Sequence, residues 1–193
     1  NAEFVIDRFH VQQLVMECVQ GLRIFERQKV LSVRREAKKH GEALPTDRRF
    51  ENGDTERELL ARSRYLLFKP SSSWTKRQKE RAAILFREYP DLRSAYELSQ
   101  QLKNLYDRSM TRETAAVLLR QWMEACHASG IPEMEAAATT ILRHEGWILN
   151  FWNNRATNAF AESFNAKLTR FRGMLRGIRD LKFFLFRCQV YFS

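Results

Sequence analysis

The sequence predicts a mainly α-helical chain, and three observations carry that expectation. Apolar residues recur at intervals of three and four along most of its length. Threonine, proline and glycine punctuation divides those stretches at Thr75, Pro90, Thr111 and Gly130-Ile-Pro132. Against them stands one short β-branched run, Phe4-Val-Ile, the single convincing strand signal.

That run stops at Asp7, which fits a buried strand presenting an acid at its C-terminal end. From Val11 the spacing turns helical, with Val11, Leu14, Val15, Cys18, Val19, Leu22 and Phe25 on one face. Between Arg23 and Lys39 seven cations stand against Glu26 and Glu36, either as a solvated helix face or as a nucleic-acid contact. Ala37 to Asp54 is rich in Gly, Pro, Asn and Asp and reads as the one long loop. Helix resumes from Glu56 to Phe68 and again after Thr75, and Tyr89-Pro90-Asp91 breaks it. The next helix starts at Asp91 or Ser94, another starts at Thr111, and a third spans about Glu133 to His144 with Gly146 ending it. Thr157 can cap a helix beginning at Asn158.

Thirty-three Lys and Arg against 23 Asp and Glu give a net charge of +10, which favours an anionic partner such as nucleic acid or membrane headgroups. No apolar run approaches the roughly 18 residues of a membrane span, and no secretory signal is evident, so a soluble intracellular protein is expected. Cys18, Cys126 and Cys188 are too far apart for a zinc motif or a disulfide framework and read as reduced, buried thiols. His40, His127 and His144 show no ligand spacing. The start at Asn1-Ala-Glu-Phe, without Met, suggests a fragment of something larger.

The chemistry-bearing segment lies near the other end. In the helix from Asn158, Phe160, Phe164, Leu168 and Phe171 form the packing side, and Asn158, Glu162, Asn165 and Thr169 project from a polar one. Around Glu162 stand Arg155, Lys167, Arg170, Arg172, Arg176, Arg179, Lys182 and Arg187, with only Asp180 as a second acid. A carboxylate in a basic field suits phosphodiester chemistry. Divalent ions held by converging carboxylates activate an attacking oxygen, while cations hold the phosphates. Asp7 is the natural partner, provided the fold brings both ends of the chain together.

Phe4-Val-Ile-Asp7-Arg-Phe-His10-Val and Asn158-Ala-Phe-Ala-Glu162-Ser-Phe-Asn165, with the later Arg172-Gly and Arg176-Gly-Ile-Arg179, resemble the DDE transposases of bacterial insertion sequences, specifically the ISL-three family. The resemblance spans essentially the whole chain. It implies an incomplete ribonuclease-H-like α/β core flanking a helical insertion, with residues 1–22 and 153–193 in the core and residues 23–152 as the insertion. It further implies Asp7 and Glu162 as catalytic, metal-holding acids for Mg2+ or Mn2+. Arg155, Lys167, Arg170, Arg172, Arg176 and Arg179 would bind DNA, and His10, Asn158 and Asn165 would support the site. Water and then a DNA 3′-hydroxyl would be the nucleophiles. Transposon ends and target DNA would be the partners, in a homo-oligomer working at the bacterial nucleoid in the cytoplasm, without a membrane. The family's first Asp has no counterpart in this sequence, so the isolated chain is expected to bind metal weakly and to lack strand-joining activity.

Simpler readings stand beside these. Asp7 can cap the following helix, Glu162 can pair with Arg155 or Arg170 on the surface, and His10 can be structural. Trp147, Phe151 and Trp152 suit either a core or a stacking platform for unpaired bases, and Phe183, Phe184, Phe186, Tyr191 and Phe192 suit packing or an open interface. The competing function is a non-catalytic basic helical module that binds nucleic acid or a protein partner.

Overall fold

Helix starts in this chain are set by side chains that satisfy the first free backbone N–H groups. The structure, a computed structural model, describes residues 4–154, 159–175 and 180–192. Its first helix, α1 (Arg8–Lys39), begins three residues earlier than the apolar spacing predicts, because Asp7 Oδ1 accepts the Phe9 N–H at 2.7 Å. Its 32 residues extend about 48 Å. Val11, Val15, Val19 and Leu22 form its buried stripe, and Gly41, at φ +68°, follows its C-terminus.

Thr55 and Thr75 close capping boxes with Glu58 and Gln78, starting α2 (Glu56–Arg62) and α4 (Lys76–Glu88). Between them lie α3 (Arg64–Leu67) and a 3-10 turn at Ser71–Ser73. Then come α5 (Pro90–Asp107), α6 (Arg112–Ala128) behind its Thr111 cap, and α7 (Pro132–Arg143). The chain breaks at Tyr89 as expected, and α5 opens on Pro90, one residue before Asp91, since a proline at the first helical position gives up an N–H that has no helical partner. Gly146 does not end a helix. His144 caps α7, and Gly146 lies inside α8 (Glu145–Leu149), which leads into α9 (Phe151–Asn154). The chain finishes with α10 (Ala159–Met174) and α11 (Leu181–Phe192).

α1 packs along α5 and α7, and α6 closes against both of them. Leu59, Leu60, Leu85, Leu102, Leu119 and Met134 fill the interior. Polar tips of large side chains are satisfied by backbone carbonyls: Trp122 Nε1 donates to Leu98 O, Trp74 Nε1 to Leu66 O and the Tyr96 hydroxyl to Lys69 O, each at 2.8 Å. The end of the long loop is tied down as well. Phe50 is buried, and the Asp54 carboxylate accepts from Arg81 Nε at 2.8 Å and from Arg62 Nη1.

Three further expectations are corrected. Phe4-Val-Ile forms no strand, because a strand requires a neighbour and the described residues contain only an isolated bridge between Arg49 and Thr55. Arg23 does not belong to the basic face. It is buried, with Nε donating to Gln20 Oε1 at 2.8 Å and Nη1 to Leu60 O at 3.0 Å, and its pKa is lowered first by burial and then by Arg64 and Arg27. Of the three free thiols only Cys126 is fully buried. Burial, with a smaller contribution from Cys18, pushes its pKa up to about 12.

Candidate functional site

The first-turn geometry of α1 holds Asp7 in place. Its carboxylate lies at the positive end of the helix and is only 5% exposed. Behind it is Tyr106, near the end of α5, whose phenol is pushed far above its ordinary pKa by burial first and by the Asp7 charge second. The Tyr106 ring stacks on Trp152 at 4.8 Å and meets Phe151 edge-on at 5.3 Å. Phe151 and Trp152 are therefore core residues packed on Tyr106, not stacking platforms for DNA. Trp147 is 48% exposed and packs edge-on against Phe4 at 5.2 Å.

The segment before Asp7 is fastened to residues far along the sequence. Ile6 N–H donates to Trp147 O at 3.2 Å, and Asn150 Nδ2 donates to Phe4 O at 2.9 Å. The approach to Asp7 thus lies along α8 and the start of α9, the elements that precede the Glu162 helix in the chain. Arg8, beside Asp7, makes a 3.5 Å ion pair with Asp107. His10 is exposed on the first turn and faces a shallow apolar recess shared with His144 and Ile148.

Glu162 and Asn165 fall within α10, where only the helical backbone is described, and Arg155, Asn158, Arg176 and Arg179 lie outside the described residues. The described part of α10 follows the expected pattern. Phe171 is buried and stacks on Tyr191 of α11 at 4.3 Å, while Lys167, Arg170 and Arg172 are exposed. None of these three cations has a carboxylate partner among the described residues. Arg172 also lies over the Phe184 ring at 5.8 Å. Along α11, Phe183, Leu185, Phe186, Val190 and Tyr191 are exposed, so the expected packing of Phe183 and Phe186 is absent among the described residues.

The chemistry of the donor set suits a hard divalent ion, both Asp7 and Glu162 being carboxylates. Among the described residues, however, no group of three His, Cys, Asp or Glu converges on one point. Tyr106 is the neighbour that sequence reasoning missed, since a tyrosine within the apolar stripe of α5 carries no signal of its contact with a distant acid.

A family model described as a transposase matches residues 1–188. The chain belongs to the ISL-three family of DDE transposases. No curated protein and no solved structure matches it. No described helix is long and apolar enough to cross a membrane.

Proposed function

We propose that the chain forms part of the catalytic region of a transposase that cleaves and joins the DNA strands of an insertion sequence. Asp7 and Glu162 are its catalytic acids. Lys167, Arg170, Arg172, Arg176 and Arg179, with Arg155, hold phosphates of the transposon end or the target. His10, Asn158 and Asn165 position the acids. Residues 1–22 and 153–193 belong to a ribonuclease-H-like core, with the helices between them as an insertion, and the working enzyme is a homo-oligomer.

The observation that carries this reading is the fastening of Phe4 and Ile6 to Asn150 and Trp147. It keeps Asp7 close to the chain segment that runs into α10. Mg2+ or Mn2+, when bound by the two carboxylates, would polarise the phosphodiester and lower the pKa of an attacking hydroxyl. The residues of this chain contribute the rest. The buried Tyr106 keeps water from one side of Asp7, and the α10 cations offset the phosphate charge as the strands approach.

The family resemblance implies a set of three acids, of which the sequence shows two. The isolated chain is therefore expected to bind DNA without joining it. Robust metal-dependent strand transfer by the 193-residue chain alone would contradict that. A basic binding module is the second reading, favoured by the burial of Asp7. DNA binding measured with and without Mg2+ separates the two. In the transposase reading Glu162→Gln abolishes the metal dependence, whereas a basic module shows none to lose.

A further inference from the structure

A groove of about 440 Å3 runs between α1 and α5, starting at the first turn of α1. Two phenylalanines stand along it. Phe9 is 61% exposed and Phe68, at the end of α3, is 48% exposed. Rings this open cost apolar hydration, and neither contributes to the core. Between them the mostly apolar groove is lined by Met16 and by the amides of Gln12, Gln13, Gln20 and Gln100. Gln20 forms part of the floor and is fully committed, donating to Arg64 O at 3.2 Å and accepting from Arg23 at 2.8 Å. Gln12 has no hydrogen-bond partner among the described residues, and Gln100 makes only a 3.4 Å contact to Ser99 Oγ. Lys103 is half-buried on the α5 side and has no ion-pair partner among the described residues. The acid in the lining, Glu17, is exposed and accepts from Gln13 at 2.8 Å.

Open ring faces, uncommitted amide edges and one lysine form a set that matches an unpaired nucleotide. Rings stack on the face of a base, amides donate to and accept from its edge, and an ammonium group meets its phosphate. A duplex, whose bases are already stacked and paired, offers none of these surfaces except phosphate. The position agrees with this chemistry, because the backbone N–H of Phe9 is the one that Asp7 Oδ1 accepts at 2.7 Å. A strand leaving Asp7 along α1 enters the groove directly. Glu17 repels phosphate, so the backbone runs on the Lys103 side.

Building on the transposase reading above, we propose that the groove between α1 and α5 holds one or two unpaired nucleotides of the DNA strand passing Asp7, stacked on Phe9 and Phe68 with a phosphate at Lys103. The test uses the full 193-residue chain with a single-stranded oligonucleotide carrying 2-aminopurine, and a matched duplex. The wild-type chain quenches the 2-aminopurine emission on binding. The Phe9→Ala/Phe68→Ala double variant loses the quenching and binds the single strand roughly tenfold more weakly, with duplex affinity unchanged. Lys103→Ala lowers the salt dependence of single-strand binding by about 0.7 in log–log slope. Because both rings are exposed, the circular dichroism of the double variant should match that of the parent. Quenching and affinity unchanged in the double variant would overturn the groove assignment and leave the transposase reading in place wherever duplex binding persists. Failure of the parent chain to bind either form of DNA would sink both.

Discussion

The side-chain amide of Asn150 donates to the carbonyl of Phe4 at 2.9 Å, joining two residues 146 positions apart in the sequence. With the Ile6 to Trp147 hydrogen bond it fixes the segment that delivers Asp7 to the head of α1. Asn150→Ala should therefore loosen this segment without unfolding the bundle. A net loss of about 1 kcal/mol is expected for one hydrogen bond, which raises local opening roughly fivefold. Hydrogen exchange at the Ile6 amide should accelerate by that factor while the core amides of α5 and α6 stay protected. Equal acceleration everywhere would show that the contact stabilises the whole fold instead.

Asp7 is assigned two roles that two substitutions can separate. As a helix cap, its carboxylate can be replaced by the amide of asparagine, which accepts the Phe9 N–H equally well, but not by alanine. Asp7→Ala should cost about 1 kcal/mol in denaturant unfolding, and Asp7→Asn much less. As an acid in strand transfer, neither replacement serves. In a transposase preparation active in strand transfer, Asp7→Asn should abolish joining at nearly unchanged stability. An active Asp7→Asn enzyme would reduce Asp7 to a cap.

Acid sensitivity should centre on Asp54. Burial alone would raise its pKa, but hydrogen bonds and charge from Arg81 and Arg62 outweigh that and hold it below its ordinary value. A carboxyl whose folded pKa is depressed adds stability above its unfolded pKa, about 3.9, and that stability is lost as pH falls through the folded value. Unfolding free energy should fall between about pH 4 and the folded pKa, and Asp54→Ala should flatten that decline. At pH 7 the same substitution strands Arg81 and should cost roughly 2 to 3 kcal/mol, less than a fully buried pair because Arg62 is half exposed. An Asp54→Ala protein with the parent's acid limb would assign the sensitivity to another group.

Much of the helical plan was legible in the sequence, since it rests on local rules. Thr75 and Thr111 start helices because a hydroxyl accepts from an amide two or three residues on, and that depends on nothing distant. The misreadings all concern partners that a one-dimensional pattern cannot display. Phe4-Val-Ile has strand-like residues and no neighbouring strand, so its amides turn to α8 and to Asn150. Arg23 sits in a run of cations yet turns inward, because Gln20 and the Leu60 carbonyl take up its donors. Gly146 looks like a break until the ends of the adjoining helices are known. At the candidate site, the burial of Tyr106 beside Asp7 is likewise a tertiary fact, whereas the exposed cations of α10 follow from its helical period.

Those cations give the most direct measure of DNA contact. Lys167, Arg170 and Arg172 are exposed, and no described carboxylate pairs with them. Every duplex phosphate neutralised releases condensed counterions and steepens the log–log dependence of affinity on salt by about 0.9. Arg170→Ala/Arg172→Ala should flatten that slope by about two and weaken binding at low salt, to a similar degree across unrelated sequences. Phe171, between them, is buried against Tyr191 and should keep the helix pair intact in the variant. Replacing Arg34 and Lys39 on α1 offers the control, since both already face carboxylates, on Asp47 and Glu36. Their removal should change the slope far less, and a larger change there than on α10 would move the DNA surface to α1.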